Sequence, residues 1–228
     1  MPVTLRHLSA QTSSGRLIVN TFHCQEAAPR GLLICLPGQS YGCDGPLLYY
    51  TKRLLQDRGW DALGLTYGFQ TTMADLSAET LAECLAEAKA LARAGMAERA
   101  YARLGLVGKS LGASVLAWLM RDEQSLASAR SAYLTPLLGT PMFDAAFVAG
   151  TGPAYLAIGT LDRFYESGAL ERLQSQRAFR LRVVEGQGHA FDFDGELESS
   201  LRDLRMVVED LVDFFDGDEP AGQGKRAA

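Results

Sequence analysis

Gly108-Lys-Ser-Leu-Gly112 holds a serine between two glycines at the junction of two apolar segments, and this is where the chain has the residue types to do chemistry. The run Tyr101 to Val107 reads as a buried strand, with Leu104, Leu106 and Val107 and no proline, and Leu111 to Met120 reads as an apolar helix. A strand that turns so tightly into a helix leaves no room for side chains at 108 and 112, and it strains the residue at the tip. Ser110 is thereby pushed out of the sheet. It faces the first N–H groups of the helix and the positive end of its dipole, where a forming oxyanion would be stabilised. With 23 glycines among 228 residues, a Gly-x-Ser-x-Gly arises easily by chance. The strand before it and the helix after it are what give it weight.

Near neutral pH a serine hydroxyl is a poor nucleophile until a base takes its proton, and the base needs a carboxylate to fix its tautomer. Of the three histidines, His7 and His23 fall in predicted edge strands, whereas His189 follows the last strand in Gly186-Gln-Gly-His189. Asp162 stands at the end of the next-to-last strand. Its rivals are Asp144, in a stretch read as irregular, and Asp192 and Asp194, which follow His189 too closely to reach back to it. Lys109, beside the serine, is expected to point away from the pocket against another loop. Gly105-Leu-Val-Gly-Lys-Ser110 has too few residues between its glycines to wrap a phosphate.

The elements that must position these groups alternate in type. Val3 to Ala10 and Arg16 to Cys24 form a hairpin about Thr-Ser-Ser-Gly15 at one sheet edge. Gly31 to Leu36, Trp60 to Thr66, Ser131 to Leu138, Pro153 to Gly159 and Phe179 to Val184 supply further strands, with Pro136 ending its own. Helices are predicted over Pro46 to Arg58, from Leu81 to a stop at Gly95, over Glu166 to Gln174, and along the stripe Leu197 to Phe215; Trp118, in the helix that follows the serine, is taken as core. Strands alternating with helices imply a parallel sheet covered on both faces, with function gathered beyond the strands' carboxyl ends. Pro37-Gly-Gln-Ser40, Ser110, Asp162 and His189 occupy four such ends.

A length of 228 residues suits one α/β domain over 1–216, followed by a Gly/Pro/Ala tail at 217–228 expected to be disordered. A net charge of −5 with no basic cluster argues against nucleic acid or an anionic membrane as the main partner. Met-Pro-Val-Thr-Leu-Arg-His at the start lacks the signal-peptide pattern, and no apolar run has spanning length, so a cytoplasmic location is expected. Cys24, Cys35, Cys43 and Cys84 lack C-x-x-C spacing and read as free thiols, two of them buried at 35 and 84. No His-x-x-x-His or cysteine–histidine cluster is present, so neither metal nor cofactor is expected.

The order Ser110, Asp162, His189 on successive strand ends resembles the α/β-hydrolase family, over the span from about Arg16 to Phe215. The resemblance implies an α/β-hydrolase fold: a mostly parallel sheet of about eight strands with helices on both faces. Gly139 to Gly152 leaves room for a minimal cap or none. It further implies that Ser110 is the nucleophile, His189 the base and Asp162 the orienting carboxylate. The oxyanion donors would be the backbone N–H groups of Leu111 and Gln39, the latter in a loop where Pro37-Gly38 replaces the His-Gly common in relatives. Lysine before the serine is similar to small dienelactone-hydrolase-like members, whose best-known relatives carry cysteine at that position. Serine favours ordinary hydrolysis of a small ester or thioester. A lactone hydrolase, and a non-catalytic ligand-binding protein that keeps the fold, are the alternatives. Tyr41, Phe143 and Phe164 are the candidates to line an acyl pocket. Tyr67, Phe69, Phe147, Tyr165 and Phe191 lie in or next to the same loops, where packing explains them equally well.

Overall fold

The computed structural model describes residues 2–72, 77–191 and 197–217; Asp192, Asp194 and the tail from 218 onward lie outside the described residues. The chain opens with the expected hairpin, β1 (Val3–Gln11) and β2 (Leu17–Gln25), in which Leu8, Ala10, Ile18 and Phe22 alternate inward. β3 (Gly31–Leu36) follows, buried at every position, and its odd and even residues serve different cores. Leu32, Ile34 and Leu36 belong to one hydrophobic cluster and Leu33 and Cys35 to the other.

After β3 come α1 (Pro46–Asp57), β4 (Trp60–Gly64), α2 (Gly68–Thr72) and α3 (Ala78–Glu98). Next are β5 (Leu104–Lys109), α4 (Leu111–Asp122), β6 (Arg130–Leu134), α5 (Pro141–Ala149) and β7 (Ala154–Gly159). The chain closes with α6 (Ser167–Gln176), β8 (Arg180–Val184) and α7 (Leu197–Asp216). The eight strands lie in the order β1-β2-β4-β3-β5-β6-β7-β8. β2 runs against both its neighbours, and every other pair is parallel. α1 and α7 cover one face; α3, α4, α5 and α6 cover the other. The stripe Leu204, Val207, Val208, Leu211, Phe214 and Phe215 holds α7 to the sheet, each large side chain contributing about 1.5–3 kcal/mol by leaving water.

Three expectations are corrected. Gly95 does not stop α3, which continues to Glu98. A Cβ there would come within 2.7 Å of Leu63 Cδ2 in the sheet, so the residue marks a close helix–strand approach. The stretch around Asp144 is the helix α5, opened by Thr140, whose hydroxyl accepts the Phe143 N–H, with Pro141 in the first turn. β6 ends at Leu134, earlier than Leu138, because Thr135 takes a φ of 43° and turns the chain before Pro136. The segment between β6 and β7 thus forms one core helix, with Trp118 of α4 donating to the Met142 carbonyl at 2.8 Å, and no cap. Among the described residues, no helix is long and apolar enough to cross a membrane.

Candidate active site

The turn from β5 into α4 sets the site. Ser110 has φ 53° and ψ −112°, a conformation that costs a non-glycine residue about 1–3 kcal/mol. It is pinned by its own N–H, which donates to Leu134 O at 2.9 Å. The flanking glycines are required by space: a Cβ on Gly108 would lie 2.3 Å from Gly112 O, and one on Gly112 would lie 2.2 Å from Leu36 O and 2.6 Å from Pro37 O. Those atoms are backbone and cannot rotate aside. Gly112→Ala is therefore expected to destabilise the fold by about 3 kcal/mol or more, lowering the midpoint of thermal unfolding by about 6–12 °C; an unchanged midpoint would show that the α4–β3 contact is looser than described.

The carboxyl ends of β7 and β8 deliver the other two groups. His189 Nε2 lies 2.9 Å from Ser110 Oγ, and its Nδ1 lies 2.8 Å from Asp162 Oδ2. The second oxygen, Oδ1, accepts the Phe164 N–H at 2.9 Å, so the carboxylate is fixed at both ends. Asp162 is buried, while the imidazole keeps about a quarter of its surface open, 28% of the side chain. With Nδ1–H donated to the carboxylate, Nε2 carries the lone pair that faces the hydroxyl. A hydroxyl, an imidazole and a carboxylate joined in that order can pass a proton from the alcohol to the ring and hold the resulting cation.

Rival groups are placed elsewhere. His7 and His23 sit on the β1–β2 hairpin, and burial lowers the pKa of His23. Asp144 accepts the Gly139 N–H at 3.2 Å in the first turn of α5, and burial raises its pKa. All four cysteines are free thiols. Burial pushes Cys35 and Cys84 up to about 12 and raises Cys43 well above its usual value, so these three remain protonated near neutral pH and are poor nucleophiles.

Lys109 is buried and reaches the loops after β6 and β8. Its ammonium donates to Thr135 Oγ1 and to the His189 carbonyl, both at 2.8 Å, and lies 4.8 Å over the Tyr41 ring. It thus braces the loop that carries the imidazole.

The loop after β3 lies against the serine: a Cβ on Gly38 would be 3.5 Å from Ser110 Cβ. Gln39 follows it, and Leu111 opens α4, where the first N–H groups have no partner inside the helix. Of the aromatic candidates, Phe164 stands at the site, its ring 5.5 Å from that of His189. Tyr41 is half-buried, accepting the Leu47 N–H on its hydroxyl at 2.9 Å. Phe143 is a correction. It is fully buried against Tyr133 and Phe147, with ring centroids at 5.8 and 5.4 Å, and has no surface to offer a ligand. Tyr67, Phe69, Phe147 and Phe191 are buried too. Sequence reasoning missed Gln70 on α2, whose amide binds the Gly38 and Gln39 carbonyls. Its signal was positional: it follows the carboxyl end of β4, a strand end the motif search left out.

Comparison with known proteins supports the architecture. No family model and no curated protein matches this sequence. Among solved structures, a dienelactone hydrolase from Anabaena variabilis aligns with a TM-score of 0.71 at 14% identity, covering 94% of this chain and 100% of that one. An α/β serine hydrolase without lid from Xanthomonas campestris gives 0.68 at 16% identity, covering 96% and 99%. Est1E from Butyrivibrio proteoclasticus gives 0.69 at 16%, covering 91% and 96%. The chain has the α/β-hydrolase fold, and among the described residues the segment between β6 and β7 adds no cap to it.

Proposed function

We propose that the protein is a serine hydrolase of small carboxylic esters or thioesters, working through an acyl-enzyme on Ser110. The single observation that carries this reading is the imidazole of His189 spanning Ser110 Oγ and Asp162 Oδ2 at 2.9 and 2.8 Å. In the first half-reaction Ser110 Oγ attacks the carbonyl carbon as its proton passes to His189 Nε2. The oxyanion is received by the N–H groups of Leu111 and Gln39, each such donor being worth about 3 kcal/mol in the transition state. His189 then gives the proton to the leaving alcohol or thiol. In the second half, water loses a proton to the same nitrogen, attacks the acyl carbon and frees the acid, returning the proton to Ser110. These steps use no metal and no cofactor.

The structural neighbours also favour a second substrate class, since one of them is a dienelactone hydrolase. Serine in place of that family's familiar cysteine weighs toward open-chain esters. A panel of p-nitrophenyl esters of rising acyl length, acyl thioesters and lactones separates the two, with the short esters or thioesters expected to give the highest kcat/KM. A panel turned over only as lactones would replace the first reading with the second.

A further inference from the structure

Gly38 lies between the serine and Gln70 of α2. On the serine side, a Cβ on Gly38 would be 3.3 Å from Lys109 O and 3.5 Å from Ser110 Cβ. On the other side, Gln70 Nε2 donates to Gly38 O at 2.8 Å and to Gln39 O at 3.1 Å. The amide of Gln70 is itself fixed, because its Oε1 accepts the Tyr67 N–H at 3.0 Å. Turning it over would break all three bonds at once. Its short helix is anchored in turn: the Gly68 N–H donates to Glu87 Oε2 at 3.0 Å, and Glu87 pairs with Arg16 at 3.3 Å.

In a trans peptide the carbonyl oxygen and the amide hydrogen lie in one plane and point in opposite directions. Holding Gly38 O against Gln70 therefore sends the Gln39 N–H the other way, away from α2. We propose that Gln70 is a positioning residue that sets the direction of the Gln39 N–H as an oxyanion donor; this rests on the hydrolase reading given above. Gly38 has no side chain to resist rotation of that peptide. Without Gln70 the peptide is free to turn its carbonyl oxygen into the site, where it would repel the developing negative charge rather than stabilise it.

Gln70→Leu removes the donor and the acceptor, and Gln70→Glu keeps the acceptor for Tyr67 while setting a carboxylate against two carbonyls. Both are measured in steady state on a short-chain p-nitrophenyl ester, with active sites counted by fluorophosphonate titration. The expected result for each is a kcat per active site lower by about 10- to 100-fold, a KM within about twofold, and an unchanged pH midpoint. Affinity for an alkyl boronic acid, which forms a tetrahedral adduct on serine, falls by the same factor as kcat. A glutamine that only supports the fold would lower the unfolding temperature and the active fraction, leaving kcat per site and boronate affinity unchanged, and that result overturns the proposal. Should the leucine variant fail to fold, the near-isosteric glutamate variant decides. If Ser110→Ala is inactive and both Gln70 variants keep kcat within about twofold, the role of Gln70 alone is wrong. If Ser110→Ala still turns over by its usual rate, the hydrolase reading falls and this proposal with it.

Discussion

Ser110→Ala is expected to lower kcat on a short-chain p-nitrophenyl ester by about 10⁶-fold, the scale at which a serine nucleophile's loss removes the benefit of its whole catalytic group. The initial burst of p-nitrophenol should vanish with it. Among the described residues no other nucleophile is placed to substitute: Cys35, Cys43 and Cys84 are held protonated by burial, and Lys109 is committed to Thr135 and the His189 carbonyl. The variant keeps its fold, since the turn is held by the Ser110 N–H on Leu134 O and by the flanking glycines, none of which involves the hydroxyl. Residual rate acceleration of about 10³- to 10⁴-fold over water would come from the oxyanion donors and substrate binding. A variant that keeps the burst has another nucleophile.

Asp162→Asn carries the second large effect, and the geometry explains why a near-isosteric change does so much. The Phe164 N–H, 2.9 Å from Oδ1, requires an acceptor at that position. The asparagine oxygen must take it, which puts the amide nitrogen where Oδ2 now meets His189 Nδ1 at 2.8 Å. A donor there forces the imidazole into the tautomer protonated on Nε2, so that a hydrogen faces Ser110 Oγ where a lone pair is needed. The expected loss in kcat is about 10⁴-fold, with KM little changed and thermal unfolding near that of the parent. A loss of only a few-fold would mean that the carboxylate does not set the tautomer.

Much of the architecture was legible because it follows from local pattern. Gly31 to Leu36 reads as doubly covered β-strand because six consecutive positions are buried in the structure. The two glycines about Ser110 are legible because their cause is steric and falls within one turn. Ser110, Asp162 and His189 were picked out by chemical type at strand ends, and the structure brings them within hydrogen-bond distance from positions 27 and 79 residues apart along the chain. What local pattern does not encode was misread or missed. α2 has five residues, too few to show a helical period, so only its place after β4 marked Gln70. Phe143 sits in a loop-like sequence between Gly139 and Gly152, yet it packs on Tyr133, a partner visible only once β6 and α5 are folded together. Gly95 resembled a helix end because glycine both stops helices and lets them approach sheets, and only the distance to Leu63 separates the two.

The most direct test of the account is to treat the folded protein with a fluorophosphonate, which reports only a serine made nucleophilic by its neighbours, and to locate the adduct by peptide mass spectrometry. One phosphonyl group on Ser110 is predicted, absent from Ser110→Ala and from protein unfolded before treatment. No adduct, or an adduct on any other residue, would contradict it.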